Sequence, residues 1–413
     1  MTAGTGRHPA AANCGLVGEG RRRPGLVVIV AFLVSLAGRF TLERLGISVP
    51  LVNDVRVPLF AALLMSFALE LKGSGHRGGS GVRSLFAILA LLGYQILSAT
   101  WAPNGAATGA AVGDLAACAI LVFVYVTLAE WDRDRVVRVT LACFYAAAWV
   151  YFLVAASGRG HASSGRWAAL GGGPNVFVRI MVLGALSSMY FYFRAGRKPI
   201  WLLGIPAFLT GALASGSRGG LLALASTLAC AIWVALPRLR PSSSLKALLT
   251  TAVLAGVTWL LAGDAVGGFI QKRFVQGTLQ QGYTSDRDVL FKLAFGLFMR
   301  RPFFGTGVNG FYVETNRGSG ERYVHNLPLA VAAEGGAIGL LLLINAFVQL
   351  RHEFAKIPRS ERSLEARAVG YCAIFVGGAC LFSGDYYDAR LMWVLLVLAA
   401  VRPAPIKRDT LQT

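Results

Sequence analysis

The chain is short of charge. Asp, Glu, Lys and Arg make up 15% of its 413 residues, where a soluble domain carries roughly 25%, so a globule surrounded by water is excluded. Acidic residues are scarcest, 20 against 40 Lys and Arg. The resulting net charge of +20 still does not describe a nucleic-acid binder, because the basic residues form no continuous patch. They sit in short clusters between apolar runs, such as Arg21-Arg22-Arg23, Arg194 to Lys198, and Arg238 to Lys246. Cysteine is sparse as well. Five of Cys14, Cys118, Cys143, Cys230, Cys372 and Cys380 fall inside apolar runs and none has metal-ligand spacing, which leaves them as small buried apolar side chains. Inverted repeats of the transporter kind are absent.

Apolar residues are what the chain has in quantity: 55% of positions, with a mean hydropathy of +0.58. After a first run from Leu26, further runs occupy about 57–71, 84–101, 112–130, 136–157, 175–193, 199–214, 220–236, 246–263, 326–350, 366–383 and 388–401. Each is long enough, or nearly so, to cross a hydrocarbon core of about 30 Å at 1.5 Å per helical residue. The expectation is an all-α, polytopic transmembrane helical bundle of about 12 spans over residues 25–401. A disordered cytoplasmic tail (1–24) precedes it and a second tail (402–413) follows. Arg21–Arg23 followed by Leu26–Ala37 resembles a signal peptide, but a retained first span closes the topology without a spare helix. An even count puts both termini on one side. The basic connections Lys72/Arg77/Arg83, Arg133/Arg135/Arg138, Arg194/Arg197/Lys198, Arg238/Arg240/Lys246 and Arg351 to Arg367 then all fall on that side, with Arg402, Lys407 and Arg408. Positive charge collects in the cytoplasm, so the expected location is the inner membrane, with cytoplasmic termini and lipid around the bundle.

This topology isolates residues 264–325 as one long periplasmic loop carrying Lys272, Arg273, Arg287, Lys292, Arg300, Arg301, Arg317 and Arg322. Loops of that length are usually functional. Ser285 and Asp288 make a capping box that opens an amphipathic stretch from Asp286 to Met299, expected to lie along the membrane surface. Of five histidines, His8, His76 and His352 fall inside, leaving His161 and His325 outside. His325 opens the tenth span. An imidazole there suits a general base; taken alone, it reads as an interfacial residue capping that helix.

Four segments add context. His325-Asn326 is followed after nine residues by Gly336-Ala337-Ile338-Gly339, with Glu334-Gly335-Gly336 within it. Ser215-Gly216-Ser217-Arg218-Gly219-Gly220 forms a turn between two spans. Arg287-Asp288-Val289-Leu290 leads to Arg301-Pro302-Phe303-Phe304-Gly305-Thr306-Gly307, and Gly172-Gly173-Pro174-Asn175 opens the sixth span. Together they resemble the signatures of bacterial O-antigen ligases and of the related Wzy-type O-antigen polymerases. The resemblance covers about residues 80–400 and is strongest over 210–340. One departure is that Leu290 stands one place early after Arg287, with Phe291 where the family has leucine.

The resemblance implies a GT-C-like membrane glycosyltransferase that takes a glycan from undecaprenyl diphosphate and joins it to an acceptor sugar hydroxyl, such as lipid A-core. His325 would be the base that deprotonates the acceptor. Arg218 and Arg287 would neutralise the departing diphosphate, which arginine binds bidentately. Further substrate contacts are expected at Arg166, Asn175, Arg301, Arg322 and Asn326. No metal or cofactor is expected, since arginines would do the neutralising, and the reaction would invert the anomeric carbon. A polymerase would use a second lipid-linked glycan as acceptor. A lipid-linked-oligosaccharide flippase is the rival from another class, but it has no need of a periplasmic histidine beside an arginine-rich loop.

Three patterns are set aside. Gly305-Thr306-Gly307-Val308-Asn309-Gly310 fits a dinucleotide-binding pattern but lacks the preceding strand and the ribose-binding acid. Asp286-Arg287-Asp288 is a D-x-D pair of the metal-binding kind, yet its place at a helix start favours capping. Asp132-Arg133-Asp134 reads as a solvated charge run on the inner side.

Overall fold

The computed structural model describes residues 25–37, 49, 54–71, 82–159, 162, 165–235, 287–315, 323–358, 362–384 and 389–402. Among the described residues the fold is helical, with no strand. The helices are α1 (Gly25–Ala37), α2 (Arg56–Leu71), α3 (Val82–Leu97), α4 (Thr108–Ala156), α5 (Pro174–Arg194), α6 (Gly204–Ala214) and α7 (Arg218–Ala235). After them come α8 (Arg287–Arg300), α9 (Gly310–Glu314), α10 (Leu327–Ala355), α11 (Leu364–Ser383) and α12 (Arg390–Ala400).

Every expected run except 246–263, which lies outside the described residues, coincides with a helix. Their lengths differ from the expectation. Among the described residues five helices are long and apolar enough to cross a membrane: Arg83–Thr100, Thr108–Ala156, Pro174–Arg194, Leu327–Ala355 and Leu364–Ser383. The fourth and fifth runs share one of these, α4, which is broken at Asp132 (φ −154°, ψ 79°). α1, α6, α7 and α12 are shorter apolar helices. The chain therefore has the makings of a multi-pass membrane protein. Its core is built of wholly buried aromatic and aliphatic side chains, including Tyr125, Phe144, Phe177, Phe208, Phe375 and Trp393.

Ion pairs gather at one end of the bundle. Glu365, at the start of α11, is buried and accepts from Tyr190 Oη at 2.8 Å. Arg138 and Arg194 approach the same carboxylate at 3.7 and 3.4 Å. Beside it the buried Arg133 donates to Val401 O and Ser363 Oγ, both at 3.2 Å, and pairs with Asp134 at 3.0 Å. The Asp132–Asp134 run, expected to be solvated, is thus a fastening: a buried guanidinium in apolar surroundings keeps its charge only when its donors are met. Near the other end, Arg56 of α2 bridges Asp54 and Asp114 of α4 and holds the Asp54 carboxyl below the usual carboxylate range. Helix α11 runs from the Glu365 cluster to the opposite end, about 30 Å at 1.5 Å per residue.

Candidate functional site

The turn between α6 and α7 is locked by its own serines. Ser215 Oγ donates to Ala212 O at 2.6 Å, Ser217 N donates to Ser215 Oγ at 3.2 Å, and Gly220 N donates to Ser217 Oγ at 3.3 Å. Ser217 thereby caps α7, and Arg218 becomes its first residue, half-buried. Two other segments hold the turn from outside. Ser217 Oγ donates to Asn175 Oδ1 at 2.7 Å, in the first turn of α5. Arg166 Nε donates to Ser215 O at 2.8 Å, and Trp167 N to Ala214 O at 3.1 Å. Arg166, Asn175 and Arg218, dispersed over more than 50 residues of sequence, are therefore one assembly.

Arg287 joins them from the long loop. As the first residue of α8, it brings Nη1 to 3.4 Å from the point where a Cβ on Gly219 would stand. The Cβ of Phe382 is 2.5 Å from that same point, so Gly219 admits no side chain, and the α8 guanidinium lies directly against the arginine turn. Two guanidinium-bearing residues held at one turn form an environment that favours an anion.

His325 immediately precedes α10 and has a left-handed backbone, φ 63°, which costs a non-glycine residue on the order of 1 kcal/mol. Tyr323 packs on its ring at 4.1 Å between centroids. The next residue does the structural work: Asn326 Oδ1 accepts from Leu329 N at 2.9 Å and caps α10, while Asn326 Nδ2 donates to Leu381 O at 3.0 Å. Capping therefore belongs to Asn326, which leaves the imidazole clear of that task.

The last three residues of α11 tie these pieces together. Leu381 O holds Asn326, Phe382 abuts Gly219 beside Arg287, and Ser383 accepts from Arg179 of α5. Neither Arg179 nor this segment was anticipated from sequence. The segment contributes backbone carbonyls and a packing atom, which no residue type announces. Arg179 did leave a signal, as an arginine inside an apolar run.

Other expected contacts fall elsewhere. Arg301 is exposed and pairs with Glu314 at 3.1 Å; it follows the last residue of α8, roughly 20 Å from Arg287 at 1.5 Å per residue, and is not among the residues brought together. Arg322, His161, Ser285 and Asp286 lie outside the described residues.

The spacing between Arg287 and His325 is set by a break in α10. Gly336 has φ 63° and ψ −161°, and the Pro302–Gly307 segment enters the gap. Thr306 N donates to Ala333 O at 3.0 Å, Gly307 N to Glu334 O at 2.9 Å, and Ala337 N to Pro302 O at 2.7 Å. Tyr94 Oη closes Gly335 O at 2.8 Å. Below the gap, the buried Glu334 carboxylate accepts from Asn309 N at 2.9 Å and Phe311 N at 3.1 Å. Helix α8, with Leu290, Ala294 and Leu297 buried, is thus fastened through its C-terminal turn to the helix that His325 opens. Within the G-x-x-G pattern, Gly339 faces Gln95 of α3, whereas Gly336 admits a loop backbone.

A family model described as O-Antigen ligase matches residues 202–344. That segment runs from α6 into α10 and contains Arg218, Arg287, His325, Asn326 and the Gly336 break; over it the chain is similar to O-antigen ligases. No curated protein matches the chain.

Proposed function

We propose that this protein is an inner-membrane glycosyltransferase that moves a glycan from undecaprenyl diphosphate to a sugar hydroxyl on the periplasmic face, acting as an O-antigen ligase on lipid A-core. The observation that carries the reading is the convergence on Leu381–Ser383. The arginine turn with Arg287, and the His325–Asn326 turn, rest on the same three residues, and both turns lie inside the segment similar to O-antigen ligases.

In this mechanism Arg218 and Arg287, with Arg166 beside them, bind the diphosphate and stabilise the charge it gains on leaving. His325 takes the proton of the acceptor hydroxyl. The freed oxygen attacks the anomeric carbon from the face opposite the diphosphate, the bond to the diphosphate breaks, and undecaprenyl diphosphate departs with the electron pair and inversion at carbon. A polymerase would run the same steps with a second lipid-linked glycan as acceptor, so the acceptor assay separates the two.

The experiment is transfer by purified protein alongside binding of undecaprenyl diphosphate. His325→Ala should lose about 10²–10⁴-fold in rate with donor binding kept. Arg218→Ala and Arg287→Ala should weaken both, and Arg287→Lys should recover only part, because lysine lacks the bidentate fork. Turnover should survive excess EDTA. Near-normal turnover in His325→Ala would return the histidine to a structural role.

A further inference from the structure

Arg179 has no part in the mechanism above, yet its placement is costly. It lies inside α5, one of the helices long and apolar enough to cross a membrane, about 8 Å from its start, and is 5% exposed. A guanidinium at such a place persists when the fold or the function makes use of it. Its Nη2 donates to Ser383 O at 2.6 Å and to Ser383 Oγ at 3.0 Å. Ser383 is the last residue of α11, so its carbonyl is one that no helical amide satisfies, at the negative end of the helix dipole. The contact is charge-assisted and correspondingly strong.

What Arg179 grips is the segment on which both halves of the site rest. One residue before Ser383, Phe382 abuts Gly219 on the side where Arg287 approaches; two before it, Leu381 O holds Asn326 and so the His325 turn. Arg179 itself stands one helical turn along α5 from Asn175, which holds Ser217. Through Asn175 helix α5 fixes the arginine turn, and through Arg179 it fixes the end of α11. We propose that Arg179 is a positioning residue for glycan transfer: by anchoring Ser383 it keeps the His325 turn in register with the Arg218–Arg287 turn. Its effect falls on the geometry between base and donor, and therefore on turnover rather than on donor affinity. The consequence for turnover rests on the transferase reading; the anchoring does not.

The test uses full-length protein in nanodiscs, with Arg179→Met, Arg179→Lys and Ser383→Ala. Amide exchange is followed in peptides covering 323–330 and 380–384, and kcat is compared with the affinity for undecaprenyl diphosphate. In Arg179→Met, exchange should quicken about tenfold in both peptides, because a charge-assisted bond that restrains local opening is gone. Turnover should fall about 10²-fold, the scale of a small misplacement of reacting groups, with affinity held within about threefold. Arg179→Lys should restore most of both, and Ser383→Ala, which keeps the carbonyl, should change little. Exchange that quickens in 380–384 but stays normal in 323–330 would overturn the proposal, as would normal turnover in an inserted Arg179→Met. Affinity falling in step with turnover would also overturn it, since Arg179 would then be a donor ligand. If the wild-type protein transfers no glycan while Arg179→Met loosens both peptides, the transferase reading fails and the anchoring stands.

Discussion

Two long helices are broken, and they are mended in different ways. In α4 the break falls at Asp132, in a charged stretch between two apolar runs, and neighbouring side chains close it. Asp132 Oδ1 accepts from Arg135 N at 3.0 Å, and Arg133 reaches Ser363 and Val401. In α10 the break falls at Gly336, within a single apolar run where a backbone amide or carbonyl has no water to turn to. There the mending is done by backbone from elsewhere: the Pro302–Gly307 segment meets the carbonyls of Ala333 and Glu334 and the amide of Ala337. Side chains suffice for a break among charged residues, but a break in an apolar run requires a second chain segment. In this protein that segment is the continuation of the helix that carries Arg287.

The sharpest way to break the comparison is to fill the α10 gap. A Cβ at Gly336 would stand 2.3 Å from Phe303 O, and one at Gly305 would stand 2.4 Å from the Glu334 carbonyl; both glycines have positive φ, 63° and 70°. Backbone obstructs backbone, so nothing flexible can give way. Gly336→Ala and Gly305→Ala should each cost more than about 3 kcal/mol and abolish transfer, read by thermal unfolding in detergent and by the transfer assay. Gly339→Ala sharpens the point from within the same G-x-x-G pattern. Its Cβ would meet Gln95 Nε2 at 3.2 Å and Val331 Cγ1 and O at 3.3 Å, contacts that shifts of a few tenths of an ångström relieve, so it should insert and keep most of its turnover. Equal behaviour of Gly336→Ala and Gly339→Ala would show that the inserted segment does not set the fold there.

A smaller effect is expected one step from the gap. Glu334 meets two amides with its two carboxylate oxygens. Glu334→Gln keeps the shape but turns one acceptor into a donor, leaving one buried amide opposed, at a cost of about 1–3 kcal/mol. Because Asn309 and Phe311, at the start of α9, follow α8 closely in the chain, the loss should loosen α8 against α10 and lower turnover. A drop in melting temperature without any drop in turnover would separate the α10 break from the site.

The contrast also marks what could be read in advance. The α4 break was legible, since Asp132-Arg133-Asp134 stands between two apolar runs, although its solvation was overstated: Arg133 is buried. The serine-glycine turn at 215–220 and the opening of α5 at Pro174 are where the sequence put them, because cap and turn chemistry is local. The α10 break was not legible. An uninterrupted run from 326 to 350 has the hydropathy of a straight helix, a left-handed φ leaves no mark beyond a glycine, and G-x-x-G is equally a helix-packing pattern. Nor does the 264–325 loop announce that its 302–307 stretch threads into α10. At the site, the sequence singles out Arg166, Asn175, Arg218, Arg287 and Asn326 as substrate contacts, whereas Leu381–Ser383 carry no mark, because carbonyl acceptors are the same in every residue. Arg179 is legible in principle, since a charge within an apolar span is itself a signal, but the hydropathy of its run reads as a span with or without it.

The mildest expectation returns to α4. Asp132 ends one half of the helix and caps the next: its extended φ and the bond from Arg135 N to Oδ1 are the geometry of an N-cap. Asp132→Ala should cost about 1 kcal/mol, the usual price of a lost cap, and Asp132→Asn, which keeps the acceptor, should cost only a few tenths. Neither should touch transfer, because the α4 break is fastened to Ser363 and Val401 at the Glu365 end of α11, about 30 Å along that helix from Leu381–Ser383. Melting temperature and turnover measured on the same preparations decide the matter. A loss of turnover in Asp132→Ala without a matching loss of stability would mean that the two ends of α11 are coupled, and the division between a fastening end and a working end would have to be abandoned.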